Sequence, residues 1–190
     1  MPISQAEAAS ALRDIDETTA RTMEMRAYRE ASPYLLLWGL VWAAGYGLMG
    51  LLPADQWGLL WLPLDLAGVA ASVAIGCRAR RRAASRGAAA RANLLPMLAT
   101  VFFTTLFVMA VYVLFAPTRH EPYLVFPALV VGLIYVVLGA WKMRRLAWIG
   151  AAMFLLAMAG FLFLRPWLPF WLAAVGGGGL VAGGLWLRKV

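Results

Sequence analysis

Asp65 is the one acidic residue set deep inside an apolar stretch, and helical spacing places Trp57, Trp61, Asp65, Gly68 and Ser72 along one face of that stretch. It lies about eight residues, or roughly 12 Å of helical rise, from the nearer end. A carboxylate at that depth in a membrane is costly and faces protein or a water-filled cavity. Two indole faces above it could draw in a cation, first by cation–π attraction and then by charge. This makes Asp65, Trp57, Trp61 and Ser72 the expected ion or substrate site. The competing reading makes Trp57 and Trp61 interfacial belt residues, with Asp65 satisfied by a neighbouring Tyr or Thr or paired with Arg165 or Arg119.

Little else in the chain has the makings of chemistry. Tyr46, Thr100, Thr104, Thr105, Tyr112 and Tyr135 are the other polar groups in apolar stretches. Thr100 and Thr104 share a face, but threonine hydroxyls in such helices commonly bond their own helix carbonyls. His120, between Arg119 and Glu121, reads as a turn residue, since position 124 is Leu and no HExxH pattern forms. Asp14, Asp16 and Glu17 lack the glycine turn and later ligands of a calcium loop. Gly177, Gly179 and Ala182 match a GxGxxA spacing without the preceding strand that a dinucleotide fingerprint requires. With no nucleophile motif, catalytic residue or metal-ligand set, the expectation is a non-enzyme without metal or cofactor.

The elements that must position Asp65 are read from hydropathy. The 190 residues are 63% hydrophobic and 14% charged, far from the composition of soluble domains. Apolar stretches fall near 33–52, 57–77, 94–116, 122–141, 146–164 and 167–187. Each matches a hydrocarbon core roughly 30 Å thick. The expected fold class is an all-α integral membrane protein: six transmembrane helices as three antiparallel hairpins, because alternate gaps are very short. A cytoplasmic amphipathic helix over residues 1–32, with Ser4 and Glu7 as a capping box, precedes the membrane domain at 33–190. Pro33 reads as the start of the first span.

The net charge of +8 is concentrated on one side. Arg78, Arg80, Arg81, Arg82, Arg86 and Arg91 follow the second stretch, Lys142, Arg144 and Arg145 the fourth, and Arg188 and Lys189 the sixth. The positive-inside rule puts these clusters and both termini in the cytoplasm, facing anionic lipid headgroups of a bacterial inner membrane. Nucleic acid is excluded as a partner, since no aromatics interleave the arginine run. Cys77 is alone, so no intrachain disulfide forms, and residues 1–32 lack the apolar core of a cleavable leader.

An offset of 64 residues pairs Pro53 with Pro117, Pro63 with Pro127, Gly68 with Gly132 and Arg78 with Lys142, which reads as a duplicated hairpin. Small residues at i, i+4 spacing permit close helix approach. Gly39, Ala43 and Gly47 make such a face on the first span and Gly68, Ser72 and Gly76 on the second, and the two are expected to pack together. Gly179 and Gly183 do the same on the sixth. Such faces also suit a homo-oligomer or a membrane partner subunit. On Gly39, Pro53, Gly68, Pro117 and Gly132, the plan resembles the small bacterial six-helix acid-resistance membrane proteins. In size and span count it is also similar to the substrate-binding subunits of energy-coupling-factor importers, although the outer turns here are minimal. No functional residue carries over from either. The residues therefore support two expectations: a small transport or permeation protein using Asp65, or a non-transporting scaffold or sensor that binds a partner through its small-residue faces.

Overall fold

The computed structural model describes residues 5–85, 94–141 and 143–189. Ser4, Arg86, Arg91 and Lys142, all singled out above, lie outside them. The described residues are helical with no strand. The main helices are α1 (Gln5–Met49), α2 (Trp57–Ala84), α3 (Leu94–Phe115), α4 (Glu121–Trp141) and α5 (Arg144–Phe163). The last stretch is built of α6 (Leu168–Leu172), a π-helical segment (Ala173–Gly178) and α7 (Gly179–Arg188). Among the described residues, four helical stretches are long and apolar enough to cross a membrane: Ala54–Arg82, Glu121–Trp141, Arg144–Phe163 and Arg165–Arg188. The third apolar stretch coincides with α3, whose described apolar part, Ala99–Phe115, is shorter than these four.

The first expected span is not a separate element. The N-terminal helix runs through Pro33 as one 45-residue helix. An interior proline removes one hydrogen bond and crowds the preceding turn, at about 3 kcal/mol. Packing on both sides of Pro33 offsets this. Ser32 Oγ, fully buried, donates to Gly184 O of α7 at 2.7 Å, and Leu36 closes over Gly184.

The closest packing does not follow the expected pairs. Helix α4 lies along α5, its neighbour in sequence. Cβ atoms placed on Gly132 and Gly150 would each meet the other residue's carbonyl oxygen, and one on Gly139 would meet the Ala147 backbone. Helix α1 lies along the π segment and α7. The Gly39 and Ala43 face packs there rather than on α2: Gly39 meets Val181 and the Gly177 carbonyl, and Gly177 meets the Ala43 backbone. Gly183 packs on Ile149, whereas Gly47 and Gly179 face open space. At two of the expected packing glycines an added Cβ would therefore meet nothing within 4 Å among the described residues. The core accordingly gathers from α1, α4, α5 and α6–α7, through Leu35, Leu124, Ala128, Met153, Leu168, Leu172 and Leu180. Helices α2 and α3 are peripheral.

At the basic end, α1 and α5 are tied through Tyr28. The first N–H groups of a helix have no intrahelical partner. One of these in α5, the Arg145 N–H, donates to the Tyr28 hydroxyl at 3.2 Å, and that hydroxyl donates to Glu24 at 2.6 Å. Burial, reinforced by the bond to Glu24, holds the Tyr28 phenol above its ordinary pKa, so it keeps its donated proton at neutral pH. The Arg145 guanidinium stacks 5.9 Å from the Tyr28 ring centre and 5.0 Å from that of Trp186.

Candidate functional site

Trp61 and Gly68 hold α2 against α1. The Trp61 ring fills the space left by Gly45, its Nε1 donates to Met49 Sδ at 2.8 Å, and its ring meets Tyr46 edge-on at 5.1 Å. Trp38 of α1 returns the contact over Gly68. Trp57 Nε1 donates to Leu52 O, and its ring meets His120 edge-on at 5.6 Å, joining the α1–α2 connection to the α3–α4 connection. Gly76 is buried on the same side. Ser72 is 2% exposed, and its Oγ has no hydrogen-bond partner among the described residues.

Asp65 sits at the margin of this face and is exposed. Neither Arg165 nor Arg119 pairs with it. Among the described residues it has no hydrogen bond or ion pair; Arg165 instead donates to Phe161 O and stacks on the Phe161 ring at 5.2 Å. Tyr46 donates to Leu124 O at 2.8 Å and packs edge-on against Trp42 at 5.6 Å. Tyr112 donates to Tyr123 O at 2.8 Å.

The result is an accessible carboxylate one helical turn from Trp61, in a helix otherwise apolar over that stretch. It can attract a cation or hold a proton. Thr104 lies on the same inward side of α3 as Val108 and Tyr112, whereas Thr105 is exposed. Tyr135 packs against the core from α4. Spacing alone marked Tyr46 as a polar group in an apolar stretch but not that it stood between Trp61 and α4; that follows from the Trp61 and Gly45 fit between two helices. Among the described residues no three His, Cys, Asp or Glu side chains gather as a metal site. Arg78, Arg80, Arg81 and Arg82 are exposed at the end of α2, and Arg144 at the start of α5. Comparison with protein-family models, curated proteins and solved structures finds no match.

Proposed function

We propose that this chain is a six-span protein of a bacterial inner membrane, built as three hairpins with both termini cytoplasmic, that moves a proton or small cation by way of Asp65. The observation that carries this reading is the position of that carboxylate: exposed, unpartnered among the described residues, on a helix long and apolar enough to cross a membrane and one turn from Trp61. An aspartate at the centre of a transmembrane helix costs about 2.5–3.5 kcal/mol on insertion scales. A bound cation, a proton or a water-filled path offsets that cost; lipid tails do not.

Purified protein reconstituted into vesicles is expected to dissipate an imposed proton or potassium gradient. Asp65→Asn keeps the shape and removes the charge, so it should cut that flux by about tenfold or more, the scale on which one intramembrane charge acts. Undiminished flux in a folded Asp65→Asn protein would remove the carrier reading. A second reading, a scaffold or sensor subunit, draws support from α2, where only 11% of the apolar window is buried within the chain. A partner helix would then cover Asp65, and Asp65→Asn would release a co-purifying protein and leave no flux to lose.

The orientation has its own test. Cys77 is free and exposed one residue before the arginine cluster. A membrane-impermeant maleimide should label it in inverted inner-membrane vesicles and not in intact spheroplasts. Labelling from the spheroplast exterior contradicts the cytoplasmic assignment.

A further inference from the structure

Between α5 and the last helical stretch lies a laterally open cavity of about 350 Å³, lined by Trp148, Ile149, Met153, Leu156, Gly179 and Trp186 among others. Its named side chains are apolar, and two tryptophans sit at one end, Trp148 70% and Trp186 43% exposed. Trp148 and Leu156 are eight residues apart in α5, a rise of about 12 Å. That is close to the roughly 15 Å of one leaflet's hydrocarbon. The π segment enters from the other end, where Val175 lines the cavity.

The tryptophan end is also the cationic end. Helix α5 begins at Arg144 and α7, which packs on it at Ile149–Gly183 and Arg145–Trp186, finishes at Arg188, so the three arginines belong to the same end of the pair. Arg145 is fixed over Trp186, itself a wall of the cavity. Neither Arg144 nor Arg145 has a carboxylate within ion-pair distance among the described residues; Glu24 instead accepts the hydrogen bond from Tyr28. The basic residues also sit at the positive end of the α5 dipole, which disfavours them unless an anion is near. An apolar trough one leaflet deep, edged by interfacial tryptophans and headed by held guanidinium groups, matches one kind of occupant.

We propose that this groove is a binding site for an anionic glycerophospholipid, with an acyl chain along Ile149, Met153 and Gly179 and the phosphate at Arg145 and Arg144. Guanidinium groups suit phosphate oxygens because they offer paired donors in a plane. The site depends on membrane embedding and not on Asp65, so loss or survival of flux in Asp65→Asn leaves it untouched.

The test uses full-length protein in a mild detergent, titrated with dioleoylphosphatidylglycerol or dioleoylphosphatidylcholine and read by native mass spectrometry. The wild type should retain phosphatidylglycerol more tightly, by about fivefold for each engaged arginine. Gly179→Leu places a side chain in open space, so it should exclude either lipid while leaving the unfolding temperature no lower. Arg145→Gln should keep a lipid in the groove but lose about fivefold of the headgroup preference. Equal affinity of the wild type for both lipids overturns the proposal, as does wild-type lipid retention by Gly179→Leu. If Gly179→Leu instead splits an oligomer without altering bound lipid, a second copy occupies the groove and the lipid assignment fails.

Discussion

Gly139→Ala is expected to destabilise the protein by about 2 kcal/mol, although alanine is the better helix former. In an exposed helix interior, exchanging glycine for alanine gains roughly 1 kcal/mol. Here the new Cβ would fall on the Ala147 backbone nitrogen, Cα and Cβ at the point where α4 meets α5. A backbone cannot rotate aside as a side-chain tip can, so the two helices must part. Overpacking of this kind costs up to about 3 kcal/mol and exceeds the propensity gain. Separation there would also loosen the Gly132 and Gly150 crossing further along. Thermal unfolding in detergent checks the sign, with Gly47→Ala as the reference because Gly47 meets nothing within 4 Å. Equal stability of the two variants would show that α4 and α5 are not in backbone contact.

How this interface escapes a reading of the sequence is instructive. Helix ends were legible: α4 runs Glu121–Trp141 against an expected 122–141, and α5 runs Arg144–Phe163 against 146–164. Those limits follow from charge and proline, which act locally. Partner choice does not. Spacing places Gly39 and Ala43 on one face of α1, yet it cannot say whether Trp61 or Val181 fills the opposing surface. The fit of Trp61 into Gly45 gave α2 a different strip of α1 and left Gly39 for the last helical stretch. Proline was misread for a related reason. Pro33 looks like a boundary because it disrupts its own turn, but the Ser32 to Gly184 bond and the Leu36 contact that sustain α1 come from about 150 residues away. At the candidate site, the helical face of Trp57, Trp61, Gly68 and Ser72 was legible. The sequence did not reveal that Asp65 would stand at its exposed margin, since side-chain bulk across the α1–α2 contact decides where that margin falls.

The same physics makes adjacent glycines of the π segment respond in opposite directions. Gly177 is buried against α1, where an added Cβ would meet the Ala43 nitrogen, Cα and Cβ; Gly178 next to it is exposed, with nothing within 4 Å. Gly177→Ala is therefore expected to lower the unfolding free energy by about 2 kcal/mol, the overpacking term again outweighing propensity. Gly178→Ala should leave stability unchanged or raise it by up to about 1 kcal/mol. The loss at Gly177 should reach further than at Gly139, because α1 also carries Ser32, Leu36, Tyr46 and the Trp61 seat. Pushing α1 away from the π segment would strain the Ser32 bond to Gly184 and disturb the Tyr46 contact with Trp61. Tryptophan fluorescence should report the change, since Trp38, Trp42 and Trp61 all pack at α1. If Gly177→Ala and Gly178→Ala unfold at the same temperature, α1 does not touch the π segment at Ala43, and the central position assigned to α1 is wrong.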